Sequence, residues 1–450
     1  MSAKILAKSS PLEKLIYGLG DVGANLCWTF MSMYVTMYYT DSVGISAAVA
    51  GTIMLVARVF DGISDVLGAM LIEKCHFKMG KIRPWFLIAS PLLGISLFAS
   101  FHVPAAWDSQ AKVIYVFVTY TFTAAVSYTI YNLAYSAILT VMALDEHDRS
   151  TAATIGRFVT TGGVTVMFYV TPILLAMWGG GQSQSAWSRL STVYALLCTI
   201  LVCCMGLFIK EKSYEVENDG KGEENKPAQK GELSKAFKAV LTTKYTWLLL
   251  GLFLLFYLYS GVSSIKTYYY KDVLGDLGLF SMGSMLASLP QLFALLLVPA
   301  LFKMVERGKA VIAGCVIFIL SNIAFAMFSR SVAAAYICTV IMSLAWTPLT
   351  AVIYVYIADL VDYIYRKKHV RVEAAASMAS SIGTKIGAGL GSAAVGWGLA
   401  LINYDASLEV QTAATQRGIV GLTCILPMIL GVLIMVIMLF WKVDQEKEEN

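Results

Sequence analysis

Charge is what these 450 residues have least of. Lys, Arg, Asp and Glu together make up 14% of the chain, against roughly 25% in an ordinary soluble domain. Histidine occurs four times, without clustering. The eight cysteines (Cys27, Cys75, Cys198, Cys203, Cys204, Cys315, Cys338 and Cys424) form no C-x-x-C pair, and all but Cys75 sit in apolar runs. That excludes a disulfide framework and a zinc site; the thiols are expected to behave as small buried hydrophobes. No phosphate-cradling loop or nucleophile elbow occurs. The GLGDVG at 18–23 follows no strand and is no dinucleotide site. The short alternating segments of a membrane β-barrel are missing too. The N-terminal MSAKILAKSSPLEKL is basic but lacks a small-residue cleavage site behind an apolar core, so the first apolar run is expected to be retained. So little charge excludes an ordinary cytosolic enzyme, a disordered chain and a nucleic-acid binder.

Apolar residues fill the gap. They make up 58% of the chain, and the mean hydropathy is +0.69. A membrane-spanning helix takes about 20 such residues. Stretches of spanning length fall at about 15–40, 47–71, 84–101, 111–137, 151–178, 187–209, 245–270, 278–302, 310–328, 331–357, 373–403 and 417–441. Helices satisfy their own backbone in lipid, so the expected fold is an all-α membrane protein of twelve transmembrane helices in two six-helix halves, 1–209 and 245–450. The polar segment 210–244, rich in Lys, Glu, Gly and Asn, reads as a solvated cytoplasmic linker. If both termini are cytoplasmic, 25 of the 34 Lys and Arg residues fall on inside segments and six on outside segments or helix ends. That is a strong positive-inside pattern. The remaining three, Arg58, Arg157 and Lys385, fall inside spans. Lys78-Met79-Gly80-Lys81 after the second stretch and Arg307-Gly308-Lys309 after the eighth occupy matching places in the two halves. The layout is that of a major-facilitator transporter.

An ionisable group at mid-bilayer is expensive, and it usually faces a cavity with a partner. The second stretch carries Arg58, Asp61 and Asp65, whose i, i+3, i+7 spacing puts them on one helical stripe. Two carboxylates one turn apart suit a small cation: they can coordinate Na⁺ or share a proton. The first stretch aligns Asp21, Asn25, Trp28 and Ser32; the fourth aligns Tyr128, Asn132 and Tyr135, with Thr129 and Ser136 nearby. Arg157 lies in the fifth stretch, and Lys385 in the eleventh, one turn after Ser381. Aromatic faces, amides and fixed charges are what a sugar ring needs, for stacking and for hydrogen bonds to hydroxyls. Trp346 has no such polar support and reads as packing. Gly383, Gly387 and Gly391 are spaced for close helix approach.

These residues lie in motifs that resemble the glycoside–pentoside–hexuronide:cation symporters, the family of the melibiose and bacterial glucuronide carriers. The stretches are YGLGDVGANL (17–26), YYTDSVGISAAVAGTIMLVARVFDGISDVLGAM (38–70), MGKIRPW (79–85), YTIYNLAYSAI (128–138), GRF (156–158) and ADLVDYIYRKKHVRVEAAASMASSIGTK (358–385). The resemblance implies that Asp61 and Asp65 carry the coupling-cation site, with Thr129 adding its hydroxyl. It implies that Arg157 and Lys385 bind sugar or hold the halves together. Asn25 and Asn132 stand where the melibiose carrier has carboxylates, and Ser136 stands in place of a tryptophan. The glucuronide carriers look closer, since they share the GDV…N pattern and the later Asn.

The expectation is a multi-pass transporter of the bacterial cytoplasmic (inner) membrane that moves a glycoside inward with a cation and acts as a monomer. Its substrate contacts are expected at Asp21, Asn25, Trp28, Tyr128, Asn132, Tyr135, Arg157, Ser381 and Lys385. Arg58, Asp359 and Asp362 are expected as structural or gating charges. No cofactor is expected beyond the coupling ion, H⁺ before Na⁺, and no nucleic-acid partner. Because Asn25 and Asn132 bring no charge, Arg157 and Lys385 should favour an anionic glycoside such as a glucuronide. A neutral pentoside or oligosaccharide carried with Na⁺ is the alternative. A lipid or drug transporter of the same fold would line its cavity with Leu, Phe and Met. A membrane enzyme would need a denser acid or histidine cluster than Asp145, Glu146, His147 and Asp148, and a receptor would carry a soluble output domain.

Overall fold

The computed structural model describes residues 8–212 and 238–443, apart from His76, Lys78, His369, Arg371 and Glu409. Most of the expected linker, 213–237, therefore lies outside the described residues. The chain forms two compact units, Met1–Glu224 and Asn225–Asn450. Among the described residues the only β-pairing is an isolated bridge between Phe77 and Gly80.

In the first unit the helices are α1 (Pro11–Met37), α2 (Ala47–Lys74), α3 (Arg83–Ser100), α4 (Ser109–Phe122), α5 (Thr129–Met142), α6 (Glu146–Met177) and α7 (Gln184–Phe208). In the second they are α8 (Lys244–Val262), α9 (Ile265–Tyr268), α10 (Leu279–Met304), α11 (Arg307–Met327), α12 (Val332–Val352), α13 (Val355–Lys368), α14 (Glu373–Leu401) and α15 (Ala413–Phe440). Each of the apolar stretches falls on one of these helices or on a continuous run of them. Among the described residues nine such runs are long and apolar enough to cross a membrane by length and composition. The other three, α1, α2 and α14, carry Asp21, the stripe of Arg58, Asp61 and Asp65, and Lys385.

The helix starts follow the local sequence. Ser10 accepts from the Glu13 amide at 3.1 Å while the Glu13 carboxylate accepts from the Ser10 amide at 2.7 Å, with Pro11 opening the helix. This is a complete capping box. Ser46, Asp108, Asp145, Ser183, Ser331 and Thr412 cap their helices in the same way, each accepting a backbone N–H of the first turn. Glu211 serves another chain segment. It accepts from the backbone amides of Lys81, Ile82 and Arg83 at 2.6–2.9 Å, which satisfies the start of α3. Lys14 and Ser9 both bond Asp148, at 2.6 Å for the ion pair, and so fasten the start of α1 to the start of α6.

The interior of the first unit is aromatic: Phe30, Tyr34, Tyr38, Phe101 and Trp187 are buried and their rings touch. The outer surface is apolar as well. Val59, Leu67, Leu196, Leu297 and Met327 are each more than 60% exposed. Exposed side chains of this kind are what lipid requires.

Among the described residues π turns end two helical runs, at Tyr38–Ser42 and Tyr269–Val273, and interrupt a third at Thr123–Tyr128. A regular 3.6-residue period, on which the sequence reading rested, has no place for them. In the second unit α8 and α14 make the most extensive helix pair. Gly383, Gly387 and Gly391 supply the contact, since a Cβ on Gly383 would stand 2.7 Å from the Leu250 carbonyl oxygen. Cβ atoms on Gly387 and Gly391 would collide with the carbonyl oxygens of Leu254 and Leu258. Backbone cannot yield as a side chain tip can. Gly387→Val is therefore expected to destabilise the protein by about 1–3 kcal/mol. Gly162→Ala, where nothing lies within 4 Å, should be neutral or mildly stabilising. Thermal unfolding midpoints in detergent check this: equal midpoints for the two variants would remove the close-approach argument.

Candidate substrate and cation sites

The first unit brings α1, α2 and the α4–α5 run together around Asp61. Asp61 is 7% exposed. Its Oδ2 lies 3.5 Å from Arg58 Nη1, and its Oδ1 accepts from the Thr129 hydroxyl at 3.1 Å. Ser64 Oγ lies 3.3 Å from Thr129 Oγ1. The Thr129 proton can serve Asp61 or the Ala124 carbonyl at 3.2 Å, five residues back. Asp61, Thr129 and Ser64 thus gather three oxygens in a buried place with one guanidinium beside them. Asp65, one turn on, is half-buried.

Arg58 has a second contact. Its Cζ lies 4.2 Å from the centre of the Trp28 ring, and Trp28 stacks on Tyr128 at 4.5 Å and 19°. A cation over an indole face is attracted by its quadrupole. One side chain therefore touches both the buried carboxylate and the aromatic wall. Adjacent residues serve the two contacts: Tyr128 meets α1 and Thr129 meets α2.

Asp21 is held separately. Its carboxylate accepts from Thr160 at 2.8 Å and from Tyr131 at 3.3 Å. Tyr17 stacks on Tyr135 at 4.6 Å, and Tyr131 lies beside Tyr135 at 5.6 Å. Asn25 turns to its own helix, donating to the Asp21 carbonyl at 2.8 Å and accepting from Thr29 at 2.7 Å. Asn132 and Ser136 are exposed on α5, and Ser32 is half-buried on α1. Arg157 is exposed on α6; its guanidinium makes no hydrogen bond or salt bridge to a described residue, although it lies in electrostatic range of Asp21.

In the second unit Ser381 is exposed and Lys385 half-buried on α14. Asp359 is 5% exposed and pairs with Arg307 at 3.2 Å, joining α13 to the start of α11; Asp362 is exposed. Trp346 packs against Tyr259 and Phe318, in line with a structural role.

Sequence spacing missed Thr160, Tyr131, Tyr17 and Ser64. Thr160 reaches Asp21 only through helix packing, so no one-dimensional signal marks it; Tyr17 was legible, one turn before Asp21 on the same stripe of α1. Ser64 was legible: it lies between two acids already singled out. Of the expected common face, Tyr128 and Tyr135 both stack on α1, against Trp28 and Tyr17, while Asn132 is exposed.

This is the arrangement of a polytopic transporter, with a buried acid–base pair and an aromatic wall within one helical unit. The chain belongs to the MFS/sugar transport protein family, whose model matches residues 16–445. Within it, the motifs and relatives support the glycoside–pentoside–hexuronide:cation symporters, and the protein is a transporter and not an enzyme. The isoprimeverose transporter of Lactiplantibacillus pentosus is 28% identical over 443 residues, 96% of this chain and 89% of that protein. The glucuronide carrier protein homolog of Escherichia coli is 24% identical over 435 residues, 96% of this chain and 92% of that protein. In fold, the xylose transporter XylE of Escherichia coli, in a partially occluded inward open conformation, matches with a TM-score of 0.63 at 14% identity. It covers 95% of this chain and 96% of that one.

Proposed function

We propose that the protein imports an anionic glycoside, a glucuronide foremost, together with a proton. Transport is by alternating access, in a bacterial cytoplasmic membrane with both termini in the cytoplasm, and the monomer is the working unit. The observation that carries the anionic substrate is the state of Arg157. Asp21 is satisfied by the Thr160 and Tyr131 hydroxyls, so Arg157 is left exposed without an ion pair among the described residues. Arg can grip a carboxylate through two parallel hydrogen bonds.

Coupling runs through Arg58. With Asp61 ionised, the guanidinium is shared between the carboxylate and Trp28. Protonation of Asp61 removes one of those attractions and leaves the cation to the aromatic wall. Ion and sugar then influence each other's binding by equal amounts, as linkage requires. A proton needs one carboxylate of suitable affinity, and Asp61 is a buried one.

The test is uptake of radiolabelled glucuronide into proteoliposomes under imposed H⁺ or Na⁺ gradients. Accumulation driven by an inward proton gradient and collapsed by a protonophore is expected. The three oxygens of Asp61, Thr129 and Ser64 favour a second reading, a Na⁺ site serving a neutral pentoside or oligosaccharide. Sodium-driven uptake that a protonophore leaves untouched would establish that reading instead.

A further inference from the structure

Two tyrosines of the second unit have no part in the sites above. Tyr257 is half-buried on α8, and Tyr354, at the joint between α12 and α13, is 58% exposed. Their hydroxyls bond each other at 2.5 Å.

The pair lies well inside the membrane. Lys368 donates to the Ala239 carbonyl and to the Thr242 and Thr243 hydroxyls at 2.8–2.9 Å, so the end of α13 and the start of α8 are on one side. Tyr257 is thirteen residues past Lys244, and Tyr354 is fourteen residues before Lys368. At 1.5 Å per residue both stand about 20 Å from that basic end, within a hydrocarbon core about 30 Å thick.

Position around the helix separates Tyr354 from the lipid. Ile337, Ile341 and Leu344 are 61%, 40% and 41% exposed and form the apolar outward stripe of α12. Ser343, Thr347 and Thr350 form a different, polar stripe, which Tyr354 continues at i+11 from Ser343. The Ile353 amide still bonds the Leu349 carbonyl at 3.0 Å, so the spiral runs on to Tyr354. On α8, Ser260 is exposed one turn beyond Tyr257. Hydroxyls open to lipid at this depth would go without water, whereas polar groups inside a membrane face a cavity. Phe253, 1% exposed, packs against Tyr354 at 5.5 Å and 78°. One side of the ring is thereby held while most of its surface stays open.

We propose that Tyr354 and Tyr257 form a sugar subsite of the second unit. The C–H face of the sugar ring lies on the Tyr354 ring, and the two phenols give up their mutual hydrogen bond for bonds to sugar hydroxyls. That exchange swaps one neutral hydrogen bond for others of the same kind, so it costs little. The aromatic face adds apolar contact from a ring already fixed by Phe253. The assignment rests on the cargo being a glycoside and not on its charge.

The test is binding of tritiated methyl glucuronide, methyl glucoside and methyl xyloside to the full-length protein, with the thermal midpoint as folding control. Tyr354→Leu should weaken each sugar that wild type binds by about two- to tenfold, the loss of one aromatic contact, whatever the charge of the sugar. Tyr354→Phe keeps the ring and should bind more tightly than Tyr354→Leu. The thiol of Tyr354→Cys should react with a hydrophilic methanethiosulfonate, above the wild-type blank, and bound sugar should slow that reaction. Wild-type affinity in a folded Tyr354→Leu overturns the subsite. So does a Tyr354→Cys thiol that the reagent does not reach or that sugar does not protect, which also decides the matter if Tyr354→Leu does not fold. A wild type that binds the neutral sugars and not the glucuronide ends the anionic reading and leaves the subsite standing on theirs.

Discussion

Asp61→Asn is expected to abolish concentrative uptake while sparing exchange of substrate across the membrane. The accumulation ratio should fall to about 1, because a carrier with no ion coupling can only equilibrate its substrate. The expectation follows from geometry. Asp61 is buried, and Arg58 and Thr129 both bond its carboxylate. Asn keeps the shape and accepts from Thr129, but it cannot ionise. It also leaves Arg58 buried beside Trp28 with its carboxylate partner at Asp61 gone, and loss of one partner of a buried pair is strongly destabilising, by about 3–5 kcal/mol. A folding control is therefore part of the measurement. The double variant Asp61→Asn with Arg58→Gln removes both charges and should recover the thermal midpoint without recovering accumulation. Counterflow with labelled and unlabelled glycoside separates exchange from accumulation. Wild-type accumulation by a folded Asp61→Asn would sink the assignment of the cation site.

Arg157→Gln should strip the preference for an anionic sugar. A charge-assisted contact contributes about 1.5–3 kcal/mol, so the affinity for a glucuronide is expected to fall about 10- to 150-fold. The matched neutral glucoside, which has no carboxylate to lose, should change little. The measurement is competition uptake with matched glucosides and glucuronides in wild type and variant. Arg157 is exposed on α6 and bonded to no described residue, so the substitution leaves no side chain stranded and little effect on folding is expected. Thr160→Val is the informative companion. It removes the hydroxyl that holds Asp21 at 2.8 Å, freeing that carboxylate to compete for Arg157, and should also weaken glucuronide binding. Equal inhibition by the two sugars in wild type would end the anionic reading.

Much of this was legible in the residue order. The scarcity of charge, the spanning-length apolar runs and the i, i+3 spacing of Arg58 and Asp61 led to a helical membrane transporter, and the Arg58–Asp61 contact forms along one helix turn. Local rules sufficed there because neighbours on a helix face meet whatever the rest of the chain does. The same holds for the glycines at 383, 387 and 391, whose spacing alone predicted close approach.

Tertiary structure decided the partners. Trp28 could have been packing or a sugar platform; helix packing laid it under Arg58 and against Tyr128. Asp21 could have answered Arg157, but Thr160 and Tyr131 reached it first. The π turn at Thr123–Tyr128 altered the face on which the next residues point, which a fixed 3.6-residue period cannot anticipate. In each case the sequence determined which groups are too costly to leave alone in a membrane. Which group satisfies which depends on distances between helices far apart in the chain, and only their packing sets those.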